Sequence, residues 1–432
     1  MYEQLDRVEW KDMDIEPSME ILLTCLSYDL QAPPLTETIR GLGPSTWQAV
    51  IELSDLHDVA NLLHHRLEKA GVTPPTDQAE ALKAAYFNTT ARNMRVSHAL
   101  APLLSQLNIE KIPVIVFKGA HLAQLVYDQI GLRDMSDVDL LFHIEDLSRV
   151  EAILLNLGYL ADNPNRNIWK ANHHFTYHHA DHGLMLEVHW LVFDPRKHIA
   201  IDHAVIWQRA VTVSLSGQKA YVMTLADLIP YLCAHIANHW TFVSLRMLVD
   251  IAELVCKHDQ QIDWQRMAKN IREWALERPC YLVFRLTQDL FGAKMPPGWP
   301  EAIKPDGFLE EIYTSAKEHV VGMTSNGLML PTWPLSLLGQ PIGLRKKLAL
   351  GLKRFFPTRQ SLSYRYPASP KSWRIYTYYP VRWVRLIKEY GQIAWQLLWH
   401  KPEARVLSDS TQAALKIREW MLPNGIDDDR MV

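Results

Sequence analysis

Two acidic residues inside an otherwise apolar stretch constrain this chain more than any other feature. Asp137 and Asp139 lie in residues 136–142, whose apolar residues predict a buried strand. Residues two apart leave the same face of a strand, roughly 7 Å from each other, so the two carboxylates would repel unless a cation neutralised them. Carboxylate oxygens suit Mg²⁺ or Mn²⁺. Glu187 lies in a second apolar stretch, residues 184–190, and joins the same pocket if the two strands are neighbours.

The composition is that of a folded protein without secretion or membrane signals. With 432 residues, 48% of them apolar and 22% charged, the chain is long enough for several hydrophobic cores. Residues 1–17 are acidic and lack the basic start and apolar run of a signal peptide, and no stretch of about 18 uncharged apolar residues occurs. The four cysteines have no CxxC spacing, which indicates neither a zinc knuckle nor a disulfide framework. These features predict a cytoplasmic location.

A strand, a tight turn and a helix directly precede the acidic strand. Residues 114–117 form a β-branched run, Lys118-Gly119 is the turn, and residues 120–127 have a helical pattern. Glycine lets the backbone approach a ligand closely, a helix N-terminus offers free N–H groups, and Lys118 adds a positive charge, so this turn suits a polyphosphate. Arg133 is a second candidate for phosphate contact, and its alternative role is an ion pair with a neighbouring aspartate.

Histidine is concentrated around the second acidic stretch, where six histidines lie between residues 173 and 189. Neutral imidazole is the commonest metal ligand, so a zinc site is one interpretation. Alternation along a strand, however, sends His174 to one face and His173 to the other, and we therefore expect the histidines not to converge on one metal ion. His189 shares the face of Glu187, where we expect it either to contact the substrate or to pack.

Two pairs of polar residues one helical turn apart stand out in the helical stretch at residues 202–291. His235 and His239 have the spacing of a zinc-protease helix, but the glutamate that must follow the first histidine is absent. We therefore expect a structural or substrate-pocket role for them. Arg246 and Asp250 are expected to form an ion pair on one helix face or to line the cleft that faces the acids.

The C-terminal part of the chain differs in charge. Between residues 340 and 401 there are thirteen Lys or Arg residues and a single acid, Glu389, with tryptophan and tyrosine interleaved. Three functions compete for this segment: contact with an anionic membrane, contact with nucleic acid, or supply of cations to a polyphosphate. We favour a structural interpretation, in which the aromatic residues form the core of a final helical layer, with peripheral membrane contact second and no specific nucleic acid. The tail from Ser408 on is expected to be mobile.

Several short motifs together resemble the uncharacterised bacterial nucleotidyltransferase family of the DNA polymerase β superfamily. They are Phe117-Lys118-Gly119, Arg133, Asp137-Val138-Asp139 and Leu186-Glu187-Val188-His189, with further matches at Asn93, His235, His239, Arg246, Asp250 and Asp263-Trp264. The resemblance implies a small mixed sheet with helices, in which three acids hold two metal ions for nucleotidyl transfer. The phosphate loop departs from the superfamily pattern, because Lys118-Gly119 stands where Gly-Gly or Gly-Ser is usual.

We therefore predict an α+β fold, in which a small mixed-sheet nucleotidyltransferase core is flanked by N- and C-terminal helical regions. Apolar residues at three- and four-residue spacing indicate helices across residues 18–110. The predicted boundaries are a helical N-terminal region at 1–110, the α/β core at 111–200, a helical domain at 201–335, and a basic, aromatic-rich helical region with a mobile tail at 336–432.

The resemblance also implies a function: transfer of a nucleotide from an NTP, with ATP the expected donor, to a peptide, sugar or small-molecule acceptor, with release of pyrophosphate and with Mg²⁺ or Mn²⁺ as cofactor. The predicted catalytic and metal-binding residues are Asp137, Asp139 and Glu187; the nucleotide-binding residues are Lys118, Gly119 and Arg133; the substrate-binding residues are His189, His239 and Arg246. Two alternatives stay open: a catalytically silent nucleotide- or partner-binding module, and a metal-dependent glycosyl or phosphoryl transferase that uses the same acids. The predicted location is cytoplasmic, with peripheral membrane contact through the basic C-terminal region.

Overall fold

A seven-stranded mixed sheet with helices on both faces forms the centre of the protein. The mixed α and β character predicted from the sequence is therefore confirmed. The computed structural model describes residues 17–28, 33–162, 172–179, 181, 183–197, 199–322, 356–359, 362, 371–384, 386 and 402–423.

The strands are arranged in the order β3-β4-β5-β2-β1-β7-β6. The pairs β2–β5 and β1–β7 are parallel, and the other neighbouring pairs are antiparallel. The two acidic strands, β2 and β5, are thus direct neighbours at the centre of the sheet. The strand bounds are Ile115–Phe117 (β1), Val138–Leu141 (β2), Tyr159–Ala161 (β3), His174–His179 (β4), Met185–His189 (β5), Val211–Leu215 (β6) and Gln218–Val222 (β7).

The β6–β7 hairpin is a departure from the sequence prediction, which placed only helices after residue 202. It extends the sheet beyond the predicted core boundary at residue 200, because β7 pairs with β1 through Tyr221 and Ile115. The connecting residues Ser216 and Gly217 both have positive φ, at 51° and 74°, which is the backbone of a tight two-residue hairpin turn. The sheet therefore contains two strands from the stretch that we predicted to be helical.

Most predicted helices occur near their predicted positions. Within the stretch predicted to be helical at residues 18–110, α3 and α4 are separated at Asp58, whose φ is +57°. The short helix α6 continues as a π-helical turn at Leu122–Val126. The helices are α1 (Pro17–Leu26), α2 (Pro33–Arg40), α3 (Pro44–Leu56), α4 (Ala60–Lys69), α5 (Thr76–Ile109), α6 (Lys118–His121), α7 (Leu147–Asn156), α8 (His203–Arg209), α9 (Leu225–Asn238), α10 (Leu245–Lys257), α11 (Trp264–Glu273), α12 (Glu277–Phe291), α13 (Glu310–Val321) and α14 (Pro402–Met421).

The sheet separates two apolar cores. On one face, strand residues such as Val116, Leu140 and Val188 pack with helices α5 and α7. On the other face, Phe117 and Leu141 pack with helices that include α1, α9, α10 and α12. Burial of one such side chain stabilises the fold by about 1.5–3 kcal/mol. We call the core that contains Phe117 and Leu141 the second core. Because alternate residues of β2 face opposite cores, Asp139, which lies between the buried Val138 and Leu140, faces the second core.

The segment after Ser408 is helical as far as Met421, so the prediction of a mobile tail is wrong for α14. Met421 is buried, and the ring of Trp420 lies 5.6 Å from the ring of Phe308. The Arg278 guanidinium donates to the Trp420 carbonyl over 3.1 Å. These contacts fix α14 on the second core, while the acidic end at residues 424–432 lies outside the described residues.

In the C-terminal region predicted at residues 336–432, most of the basic, aromatic-rich segment at residues 340–401 lies outside the described residues. Where that region is described, Trp373 and Tyr376 are 74% and 54% exposed. The prediction that the aromatic residues form a core is therefore wrong for these two.

Among the described residues, no helix combines the length and the apolar character needed to cross a membrane.

The loop that leads into β2 is fixed by one buried side chain, Asn93 of α5. Its amide nitrogen donates to the carbonyls of Ile130 and Arg133, over 2.5 and 2.7 Å. Its amide oxygen accepts from the backbone N–H of Met135 over 3.3 Å. Three backbone groups of the loop therefore have a single side chain as their partner, and the loop can enter β2 in only one orientation.

We expect Asn93→Ala to lower the free energy of unfolding by about 2–4 kcal/mol, because it leaves these backbone groups without their partner. Urea denaturation measures the change. Asn88→Ala is the matched control, since Asn88 lies on the same helix and is exposed, and it should change the unfolding free energy by less than about 0.5 kcal/mol. Equal effects of the two substitutions would contradict this role for Asn93.

Candidate active site

Two acids face each other on the central parallel strands. The register of β2 and β5 places Asp139 directly opposite Glu187, and Leu141 opposite His189. Side chains of paired residues leave the same face of a sheet, so both acids and His189 lie on the face that meets the second core. Asp139 and His189 are both 1% exposed. The sheet itself therefore brings together two of the three predicted acids.

Lys118 is the cation of this pocket. Its ammonium lies 2.6 Å from Oδ1 of Asp139 and 3.8 Å from Oε2 of Glu187. Lys118 directly follows β1 and has a φ of +49°, a left-handed conformation that costs a residue with a Cβ about 1–2 kcal/mol. The predicted nucleotide-binding lysine thus forms an ion pair with the acids in this structure.

His189 joins the two acids from the other side. Its Nε2 atom is 3.0 Å from Oδ1 of Asp139 and 3.1 Å from Oε2 of Glu187. Nε2 of His174 lies 3.7 Å from the other oxygen of Glu187. One carboxylate oxygen from each of Asp139 and Glu187 and one ring nitrogen of His189 all lie within 4.8 Å of one another. The strands thus bring two carboxylates and one imidazole into a compact group.

The charges in the pocket perturb one another strongly. Burial alone would raise the pKa of the Asp139 carboxyl, but Lys118 and His189 hold that pKa below its usual value. Burial likewise opposes ionisation of Glu187, and the hydrogen bond from His189 and the charge of Lys118 hold its pKa well below the ordinary range. The Lys118 ammonium would lose basicity through burial, but the Asp139 carboxylate raises its pKa. All three groups are therefore charged at neutral pH.

Asp137, the third predicted acid, lies at the edge of this set. Its Oδ1 atom accepts from the Ser136 hydroxyl over 2.9 Å, and it stands outside the compact group formed by Asp139, Glu187 and His189 among the described residues. Burial, and next the negative charges of Asp139 and Glu187, raise its pKa. An additional cation near Asp137 would relieve that repulsion.

The predicted phosphate residue Arg133 has a different anionic partner from those we expected. It pairs with Asp250 over 3.1 Å, and the Tyr127 hydroxyl donates to the same carboxylate over 2.8 Å. Gly119 lies directly against this arginine: a Cβ at position 119 would stand 2.6 Å from Nη1 of Arg133. A side chain at position 119 would therefore displace the guanidinium of Arg133.

The predicted ion pair between Arg246 and Asp250 is wrong. Arg246 instead lies 3.6 Å from Asp58. The aspartates next to Arg133 in the sequence are also engaged elsewhere, Asp134 with Arg92 at 2.7 Å and Asp128 with Lys257 at 2.8 Å.

A row of aromatic and imidazole rings from the end of α9 lies near Lys118. The ring of His235 stacks on that of Tyr231 at 6.2 Å and lies 4.5 Å from that of His239. Burial, and next the positive charge of Lys118, lowers the pKa of His239 to about 4 and holds that of His235 well below its usual value. Both imidazoles are thus neutral at physiological pH. Sequence reasoning missed Tyr231, although it precedes His235 by one helical turn.

The prediction that His173 and His174 lie on opposite faces is wrong. Strand β4 begins at His174, so the alternation of a strand does not extend to His173. The two rings lie 4.5 Å apart, and both lie near the ring of His189, at 5.5 and 4.8 Å. His179 does point elsewhere, to the Leu157 carbonyl at 2.9 Å. Sequence reasoning also missed that His174 faces Glu187.

Comparison with known proteins identifies the class of this protein. Residues 43–292, more than half of the chain, match the sequence profile of the family described as "Uncharacterised nucleotidyltransferase". The chain belongs to that family. The crystal structure of an antigenic nucleotidyltransferase-like protein from Paracoccidioides brasiliensis is similar to part of this chain. The match covers 47% of this chain and 95% of the chain in that structure, with 14% sequence identity and a TM-score of 0.28. No curated protein matches the sequence.

We expect Lys118→Met to lower the free energy of unfolding by about 3 kcal/mol at neutral pH, because it leaves two buried carboxylates without their cation. In the wild type, the depressed pKa values of Asp139 and Glu187 contribute stability above about pH 4 that is lost on acidification. In the variant both pKa values should rise above their usual range, and the loss of stability relative to the wild type should shrink as the pH falls.

Urea denaturation of both proteins across this pH range measures the difference. Lys269→Met is the control, since Lys269 pairs with Glu273 at 3.5 Å on an exposed helix face and contributes little. A loss of stability that does not change with pH would contradict the assigned role of Lys118.

Proposed function

We propose that this protein is a metal-dependent nucleotidyltransferase of the DNA polymerase β type, which transfers a nucleotide from an NTP to an acceptor hydroxyl and releases pyrophosphate. One observation carries the proposal: Asp139 and Glu187 are in register on neighbouring parallel strands, with the Lys118 ammonium 2.6 and 3.8 Å from their oxygens. Membership of the nucleotidyltransferase family supports the same reaction class.

The side chains present fit a hard divalent cation, Mg²⁺ or Mn²⁺. Asp137, Asp139 and Glu187 bring three carboxylates to one region, where Lys118 is their cationic partner. Burial is the main cause of the raised pKa of Asp137, and the negative charges of Asp139 and Glu187 add to it, so a cation here would favour the ionised carboxylate. These three acids would hold the metal ion. When bound, such an ion supplies charge neutralisation and polarisation for an in-line displacement at phosphorus.

The remaining steps fall to side chains of the protein. In this proposal, Glu187 accepts the proton of the attacking hydroxyl and is held in place by the imidazole of His189. The charge of Lys118 helps to hold the pKa of Glu187 low, so movement of that ammonium to the triphosphate raises the pKa and makes the carboxylate a stronger base. Lys118 exchanges Asp139 for the triphosphate when the nucleotide binds, and there it stabilises the charge that develops on the leaving pyrophosphate. Gly119 and Arg133, which contact each other beside Lys118 in the sequence, are proposed as the further nucleotide-binding residues.

The acceptor is proposed to enter between the sheet and the end of α9. His239 lies there with a neutral imidazole, which can donate and accept hydrogen bonds without adding charge. We propose a hydroxyl of a peptide, sugar or small molecule as the acceptor, with His239 and Arg246 as the contacts. His189, which is 1% exposed, is proposed to position Asp139 and Glu187. ATP as the donor, a cytoplasmic location and membrane contact through the basic C-terminal region belong to the same proposal.

We expect Asp139→Asn to abolish Mg²⁺-dependent NTP binding and to reduce pyrophosphate release by about 100-fold or more, because it removes one charged group at the reacting centre. Pyrophosphate release and equilibrium binding of ATP, GTP, CTP and UTP give the two readouts, with cell extract as the source of acceptor. Asp146→Asn is the matched control, since Asp146 follows the same strand but pairs with the exposed Arg149 at 3.2 Å.

The products distinguish the alternatives. Nucleoside diphosphate in place of pyrophosphate would identify a phosphoryl transferase, and NTP binding without any product would identify a silent binding module. If no NTP binds and Asp139→Asn behaves like the wild type, the acids are not a nucleotide site and the proposal fails.

A further inference from the structure

Three imidazoles converge beside the acid pocket. One ring nitrogen from each of His173, His174 and His189 lies within 4.8 Å of the other two. Nδ1 of His174 and Nε2 of His173 are 3.2 Å apart. Two nitrogen ligands of a tetrahedral Zn²⁺ ion, with bonds of about 2.0–2.1 Å, stand about 3.3 Å from each other. The spacing of these two nitrogens is therefore that of two ligands on one ion.

The hydrogen bonds of His189 fix which of its nitrogens can bind a ligand. Its Nε2 atom contacts two carboxylates, Asp139 at 3.0 Å and Glu187 at 3.1 Å. Because ionised carboxylates only accept hydrogen bonds, Nε2 carries the proton and Nδ1 carries the lone pair. The ring is 1% exposed, and Nδ1 has no hydrogen-bond partner. A buried acceptor without a partner costs about 1–3 kcal/mol, which a metal ion at Nδ1 would recover.

The carboxylates add a further feature of metal centres. A histidine that ligates a metal almost always turns its other ring nitrogen to a carboxylate, a carbonyl or water, which orients the ring and strengthens the ligand. Glu187 occupies that position for His189, because its Oε2 atom lies 3.1 Å from Nε2 of that ring. Its other oxygen lies 3.7 Å from Nε2 of His174, which is beyond hydrogen-bond length. The opposite nitrogen of His189, Nδ1, has no hydrogen-bond partner. The opposite nitrogen of His174, also Nδ1, shares a 3.2 Å hydrogen bond with Nε2 of His173, and a metal ion would replace the proton between these two atoms.

We propose that His173, His174 and His189 bind one first-row transition-metal ion, with Zn²⁺ the preferred species. Imidazole nitrogen suits such ions, whereas Mg²⁺ demands oxygen ligands, so this site differs in chemistry from the carboxylate site proposed above. The bound ion holds the ring of His189 and thereby the carboxylates of Asp139 and Glu187 that the ring contacts. Its binding does not require the transfer reaction.

The test uses the full-length chain, freed of metal with a chelator and titrated with Co²⁺ in the absence of nucleotide. We expect one Co²⁺ per chain with visible ligand-field absorption, displaced by Zn²⁺ and not by excess Mg²⁺. Zn²⁺ should also raise the urea midpoint of the wild type, since an ion that binds only the folded state stabilises it by mass action.

His173→Ala and His174→Ala should each weaken Co²⁺ binding by at least about 10–100-fold, the loss that even an outer-shell partner of a metal ligand causes. His178→Ala is the matched control, because His178 lies on the same strand but is half exposed and pairs with Asp162. It should bind like the wild type. His174→Gln, which retains a polar side chain, repeats the test if the alanine variant does not fold.

Asp137→Asn separates this site from the nucleotidyltransferase proposal, since Asp137 stands outside the imidazole group. It should retain Co²⁺ binding while impairing NTP-dependent pyrophosphate release. Absence of stoichiometric Co²⁺ binding to the wild type would overturn the imidazole site, and so would unchanged binding in the His173 and His174 variants. Binding that is lost only in Asp139→Asn would place the ion on the carboxylates and overturn it as well.

Discussion

The ion pair between Lys118 and Asp139 is the interaction on which the rest of the site depends. Parallel pairing of β2 and β5 places two carboxylates side by side in a largely buried position, where isolated charges cost several kcal/mol each. A cation 2.6 Å from one of them and 3.8 Å from the other makes that arrangement tolerable. The left-handed backbone of Lys118, directly after β1, is what brings the ammonium to the acids. Two carboxylates that are paired with a single ammonium group can also bind a divalent cation, whose charge is larger.

A second buried charge pair supports the first. Arg133 and Asp250 join the loop before β2 to α10, and the Tyr127 hydroxyl completes the carboxylate's hydrogen bonds. Asn93 fixes the backbone of the same loop from α5. Since Arg133 packs against Gly119, the turn that carries Lys118 is held by the same network. Residues far apart in sequence therefore determine the position of the Lys118 ammonium. A substitution that breaks one of these contacts would shift the ammonium relative to the two acids.

Sequence reasoning could identify the acids, because a carboxylate inside an apolar strand is costly to bury unless a cation or hydrogen bonds compensate it. It could also predict helices α5, α9 and α10, because their apolar residues have clear helical periodicity. It could not place the partners of Lys118, Arg133 or Asp250, since those contacts join residues up to 117 positions apart. The β6–β7 hairpin was within reach: residues 211–215 contain β-branched residues and Ser216-Gly217 is a typical turn signal. The rule of alternation failed at His173 because it assumed a strand one residue longer than the real one.

We propose that Asp137, Asp139 and Glu187, balanced by Lys118, form a site at which a divalent cation and a nucleotide bind together. Titration of Mn²⁺, followed by electron paramagnetic resonance with and without a non-hydrolysable ATP analogue, tests this directly. We predict that the analogue strengthens Mn²⁺ binding, that Mn²⁺ strengthens analogue binding by the same factor as linkage requires, and that both effects disappear in Glu187→Gln. A Mn²⁺ affinity that is the same with and without the ATP analogue, or that is unchanged in Glu187→Gln, would contradict a shared site for the cation and the nucleotide.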